Sequence, residues 1–99
     1  MNMQQMMIQA QKMQRELQKA QDALAKKEFT INKAGLVNIV VFGNKTIKEI
    51  KIEEDGFDPD NKEMIEELIV SGLNELFEQI TAESDAIQER ITGRTGLGF

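Results

Sequence analysis

Leu36-Val37-Asn38-Ile39-Val40-Val41-Phe42-Gly43 decides the fold, because six of these eight residues are apolar. Successive side chains of a strand point to opposite faces, so a half-buried strand alternates apolar and polar residues. Here Val37, Ile39 and Val41 form one row, and Leu36, Val40 and Phe42 form the other. A strand that is apolar on both rows is normally covered on both faces. Working outward, Glu28-Phe29-Thr30-Ile31-Asn32 alternates and reads as a first strand, 28–32, which Lys33-Ala34-Gly35 turns into the central strand, 36–43. Gly43-Asn44-Lys45 has the residues of a tight hairpin, and a third strand follows over 46–54. There Ile50 and Ile52 face the core. Ile47 is out of phase with them, which signals a bulge or a contact on the opposite face. Lys48, Glu49, Lys51 and Glu53 dress an exposed margin that discourages edge-to-edge aggregation.

A long helical pattern lies on each side of this meander. The class is therefore α+β, ordered α-β-β-β-α, with a three-stranded antiparallel meander. Two helices cover one face of such a sheet. In so short a chain a second copy is the natural cover for the other, which gives a homodimer with the sheets joined or packed. Leu36, Val37, Ile39, Val40, Val41 and Phe42 are then its interface. Ninety-nine residues make one domain, 1–92, with 93–99 as a flexible tail. A domain this small buries only about 60–70% of its extended-chain surface, so dimerisation would help it.

Composition removes several chemistries. There is no Cys, His, Trp or Tyr, which excludes thiol nucleophiles, disulfides, Cys/His zinc sites and histidine bases. No apolar run approaches the roughly 20 residues needed to span a bilayer. Glutamines interrupt the N-terminus where a signal peptide would need an unbroken apolar core. A soluble, cytoplasmic protein is expected, without cofactor, metal, membrane or small-molecule substrate. The net charge of −5 is unevenly spread. Residues 1–27 carry five bases (Lys12, Arg15, Lys19, Lys26, Lys27) and two acids, a balance of +3. Residues 28–99 carry seven bases and fifteen acids, a balance of −8. Such asymmetry points to one surface that meets an anion while the rest keeps the chain soluble.

From Met3 to about Lys26 there is no Gly or Pro. Apolar residues fall at Met3, Met6, Ala10, Met13, Leu17, Ala20 and Leu24, with spacings that alternate three and four. This heptad seam suits a helix packed lengthwise on another. At about 36 Å the helix is longer than the sheet needs, so part of it should project. Lys12, Lys19 and Lys26 share one outward heptad position and Arg15 lies beside them, opposite the seam. Neighbouring glutamines can hydrogen-bond phosphate or sugar. On charge pattern alone the stripe is a solvated helix face, and the methionines are adaptable packing. A membrane anchor fits poorly, since the apolar face lacks Trp and Phe.

The acidic run Glu53–Asp60 does not have the alternate-acid spacing of an EF-hand. It reads as a turn, with Pro59 ending the strand and Asp60 and Glu63 forming a capping box. A second helix follows over about 61–92, with Ile65, Leu68, Ile69, Leu73, Leu76, Phe77 and Ile80 on its core side and a weak point near Thr81–Ser84. Its outer face carries Glu66, Glu67, Glu75, Glu78, Glu83 and Glu89. The terminal glycines lack the strand and helix of a phosphate-binding loop. Arg90 and Arg94 are read as auxiliary phosphate contacts.

Gln9-Ala10-Gln11-Lys12-Met13-Gln14 with Gln18-Lys19 resembles the N-terminal helix of the YbaB/EbfC family of bacterial nucleoid-associated proteins. Ala34-Gly35-Leu36-Val37 through Gly43 is similar to that family's central hairpin. Asn61 through Ile69, with Asn74, resembles the start of its second helix. The ordered set spans residues 6 to about 80. The resemblance implies a homodimer whose helices project like tweezers. It also implies DNA binding with little sequence preference through basic residues of those arms. Lys19 stands where the family commonly has Lys, whereas Lys12 and Arg15 rest on the stripe itself. The expected function is nucleoid organisation or gene regulation by binding double-stranded DNA. Lys12, Arg15, Lys19, Lys26 and Lys27, with Arg90 and Arg94, are the contacts. The alternative is an acidic dimeric α/β chaperone or interaction module that uses the first helix's apolar seam. An enzyme is the least favoured class, because no spacing gathers the acids and lysines into a pocket.

Overall fold

The computed structural model describes residues 2–93. Helix α1 (Met3–Lys26) is followed by strands β1 (Glu28–Lys33), β2 (Val37–Phe42) and β3 (Ile47–Ile52). Two short 3-10 turns, Glu54–Gly56 and Pro59–Asn61, lead into helix α2 (Lys62–Gly93). The sheet order is β1-β2-β3, antiparallel throughout. Asn2 caps α1 by accepting the Gln5 N–H at 2.8 Å. Ahead of α2, Asp58 caps the Pro59–Asn61 3-10 turn by accepting the Asp60 N–H at 2.9 Å. The expected Asp60–Glu63 box is displaced because Pro59–Asn61 forms a 3-10 turn first. The weak point near Thr81–Ser84 is absent, and α2 runs unbroken for 32 residues. The two hydroxyls that would compete with its backbone are engaged elsewhere. Lys45 Nζ donates to Thr81 Oγ1 at 3.0 Å, and Ser84 Oγ donates to Gln21 Oε1 at 3.2 Å.

The bulge signalled by Ile47 is present. Val40 pairs with Glu49, but Val41 pairs with Ile47, so β3 carries one extra residue there. Directly paired residues share a face. The bulge therefore returns Ile47 to the face of Ile50 and Ile52, which is also the face of Val37, Ile39 and Val41.

That face is the core. Val37, Ile39, Val41 and Leu76 are fully buried, joined by Leu24, Phe29, Ile65 and Ile80. Helix α2 comes close because residue 72 is glycine, where a Cβ would lie 2.8 Å from Ile39 Cδ1. At the other end, Gly43 donates to the Lys27 carbonyl at 2.8 Å. A Cβ on Gly43 would overlap the Leu24 carbonyl, so only glycine lets α1 dock on the hairpin.

Burial within the chain divides the residues expected at a dimer interface. Val37, Ile39 and Val41 are fully buried beneath α2 of the same chain. Leu36 precedes β2 and packs against the core edge. Only Val40 and Phe42 remain on the far face, opposite Thr30, Glu28 and Glu49. Lys48 lies 5.8 Å from the centre of the Phe42 ring and bonds Glu28 at 2.6 Å, a polar cover supplied by the chain itself.

An uncovered apolar strip lies instead on the core face. A helix about 10 Å across spans only two strands set about 4.8 Å apart. Helix α2 packs on β1 and β2, and Ile47 and Ile50 of β3 stay 45% and 40% exposed. Lys33 reaches Glu75 on one flank of α2, and Lys45 reaches Thr81 on the other. Val70, Leu73 and Phe77 share Thr81's flank by helical spacing, and so lean toward β3. Val70 is 60% exposed.

Beyond the sheet, α1 and the last part of α2 run antiparallel as an arm. The molecule measures 69 × 23 × 14 Å, with a radius of gyration of 19.5 Å. A compact chain of this length would have about 13 Å. Among the described residues no helix is long and apolar enough to cross a membrane.

Candidate nucleic-acid interface

The arm positions its charges by using one side of α1 for packing. Leu24 is buried, and Met13, Leu17 and Ala20 are half-buried toward α2. Gln21 ties the helices together, donating to the Ser84 carbonyl at 3.3 Å while accepting the Ser84 hydroxyl. With this side fixed, the opposite side must face solvent. Lys12, Arg15, Lys19 and Lys26 all lie there, exposed. They form no ion pair with any of the described residues. Lys12 and Lys26 are 14 residues apart, which is about 21 Å along the helix. Arg15, Gln18, Lys19, Asp22, Ala23 and Lys26 line a shallow depression on this side. Gln4, Gln5, Gln9, Gln11, Gln14 and Gln18 are exposed beside the cations as neutral donors and acceptors.

The other basic residues stand apart from this stripe. Lys27 follows the last turn of α1 and points across to Glu83, with 2.6 Å between Nζ and Oε1. Its ammonium also lies 5.0 Å from the centre of the Phe29 ring. Lys33 and Lys48 are likewise paired, with Glu75 and Glu28. The hydrogen bond from Lys48 to Glu28, reinforced by the carboxylate's charge, raises the Lys48 pKa above its ordinary value and holds this cation on the sheet. Arg90 belongs to α2 and lines the cleft between the helices with Ala20, Leu24 and Ile87. Arg94 lies outside the described residues. The structure thus brings four of the seven expected cations onto one helical side.

Acidic residues occupy the other helix. Glu66, Glu67, Glu78, Asp85 and Glu89 are exposed on α2, while Glu75 and Glu83 are engaged by lysines. Charge segregates by helix, as the opposite balances of the two parts of the sequence indicated. Sequence reasoning missed the Ile47–Ile50 strip, having counted Ile50 as core. The signal that could have found it is the width of one helix against three strands.

Residues 1–95 match the YbaB/EbfC DNA-binding family. A nucleoid-associated protein of Ruminiclostridium cellulolyticum is 42% identical over 98 residues, covering 98% of this chain and 84% of that protein. One from Agathobacter rectalis is 43% identical over 99 residues, covering 99% and 88%. One from Mycoplasmopsis pulmonis is 38% identical over 91 residues, covering 92% and 90%. These are names of a DNA-binding family rather than of enzymes. The chain belongs to the YbaB/EbfC DNA-binding family.

Proposed function

We propose that the chain binds double-stranded DNA as a homodimer, through phosphate contacts from Lys12, Arg15, Lys19 and Lys26 of both protomers. Its role is nucleoid organisation or gene regulation. The observation that carries this reading is the row of four exposed cations without an ion pair among the described residues. Cations that are already solvated and unpaired can exchange their counterions for phosphates without first breaking a salt bridge. Phosphate contacts of this kind position a protein on the duplex but do not read its bases. Little sequence preference is the consequence.

The strip of Ile47, Ile50, Val70, Leu73 and Phe77 supports self-association, because covering it would complete the core over β3. The interface moves there from the β2 rows. An Ile50→Asp variant should sediment with one chain where the natural protein sediments with two.

The test of DNA binding is fluorescence anisotropy of a random-sequence duplex titrated with protein at several salt concentrations. If the four cations of each protomer neutralise about eight phosphates per dimer, log K falls against log salt with a slope near −7. Absence of binding at low salt would remove the phosphate-contact reading.

A further inference from the structure

The seam of α1 is used over only part of its length. Between Ser84 and Gly93, α2 advances nine residues; antiparallel to it, nine residues back from Gln21 is Lys12. Residues 2–11 of α1 therefore lie beyond the last described turn of α2. Met3, Met6 and Met7 are 78%, 56% and 58% exposed, and Ala10 is exposed beside them. The same ten residues contain no charged side chain, whereas residues 12–27 contain seven. Packing and charge change at the same place.

We propose that this arm tip pairs with the same segment of a second dimer, so that DNA-bound dimers are linked arm to arm. Continuity favours a helix as the occupant. Met3, Met6 and Ala10 extend the three-four rhythm of Met13, Leu17, Ala20 and Leu24, which already packs on α2 within the chain. Neutrality favours a copy of the same segment. Two identical charged segments repel when brought together, and this one carries nothing to repel. Phosphate or an anionic lipid surface would instead select a segment rich in bases. Position favours a different dimer. The Ile47–Ile50 strip is at the sheet end of a 69 Å molecule, and a copy seated there leaves the tip uncovered.

The tip is short, about 12 Å of helix from Met3 to Ala10. Its pairing is weak in dilute solution and strengthens where arms are already concentrated along one duplex. Cooperative coverage of DNA, and bridging of two duplexes, follow from it. The pairing needs only the arm, and its consequence for DNA rests on the binding proposed above.

Sedimentation velocity of the full chain tests the pairing without DNA. The comparison is with Met3→Gln/Met6→Gln/Met7→Gln, since glutamine keeps the helix propensity and adds no charge. Expected is a natural protein whose mass rises to twice that of the variant as concentration increases, while the variant stays at two chains. Equal masses at every concentration would overturn the proposal. So would a variant at one chain beside a natural protein at two, which would place the tip inside the dimer. DNA then gives the second reading. On a duplex of about 20 base pairs, no longer than one protomer, the two proteins should bind within about twofold and with equal salt slopes. A loss of tenfold or more there, on the order of 1.4 kcal/mol, would show that the tip touches DNA and not a second dimer. If neither protein binds DNA, the DNA-binding reading fails while the mass comparison still decides the pairing.

Discussion

The sheet end and the arm use helices in opposite ways. At the sheet end, α2 buries Ile65, Leu76 and Ile80 in the core it forms with the sheet, and the apolar side chains left open there are those beside β3 that α2 does not reach, Ile47 and Ile50 among them. In the arm, α1 buries one row, leaves Met3, Met6 and Met7 in solvent and keeps four cations without an ion pair among the described residues. On the function proposed above, stability belongs to the first region and DNA affinity to the second. Substitutions should separate the two properties.

The largest effect is expected at Leu76, which is fully buried between α2 and the sheet. Leu76→Ala removes three carbons from a packed site and should cost about 2–5 kcal/mol of folding stability. Urea denaturation reads this as a lower midpoint at an unchanged slope. Where the variant is still folded, the salt dependence of DNA binding should match that of the natural protein. At the tip, Met6→Ala should cost less than about 0.5 kcal/mol, because the side chain is already largely in water. Similar losses at the two positions would erase the distinction between the regions.

Much of this division was legible in the sequence, for identifiable reasons. The run without Gly or Pro from Met3 to Lys26 marked α1, and the spacing of its apolar residues separated the packed side from the basic one. Ile47, out of phase with Ile50, marked the bulge in β3. The uncovered apolar surface was less legible. Counting alternate residues from Leu36 gave β2 two equivalent apolar rows, yet Leu36 belongs to the turn, and Val40 and Phe42 sit among polar neighbours from β1 and β3. Alternation along one strand does not reveal what stands beside it. Nor does it show how far one helix reaches across a sheet, which is what leaves Ile47 and Ile50 uncovered. The pairing of Lys27 was also hidden, since Glu83 is 56 residues away in the chain.

The next effect concerns the arm. Lys12→Glu combined with Lys19→Glu reverses two of the four stripe cations in each protomer. Four of about eight phosphate contacts per dimer are then lost, and the salt slope should fall from near −7 to near −4. Affinity at fixed moderate salt should drop by about 100-fold, equivalent to roughly 2.7 kcal/mol. Both lysines are exposed and have no ion pair among the described residues, so the urea midpoint should hardly move. Retained affinity in a folded double variant would exclude these residues from the site.

The smallest effect sharpens the comparison most, because it separates two adjacent residues. Lys26 is on the stripe, while the ammonium of Lys27 is held by Glu83 and the Phe29 ring. Lys26→Gln and Lys27→Gln lower the net charge of the chain by the same single unit, at nearly the same place. Any long-range attraction to DNA is weakened almost equally in the two variants. Direct contact is not. Lys26→Gln removes one phosphate contact per protomer and should reduce the magnitude of the salt slope by about 2 per dimer. Lys27→Gln should leave the slope unchanged and cost less than about 1 kcal/mol in stability, the range of a partly exposed ion pair. Equal shifts in slope would mean that DNA senses only the summed field of the arm. The side on which α1 carries its cations would then have no bearing on binding, and the stripe would not be a site.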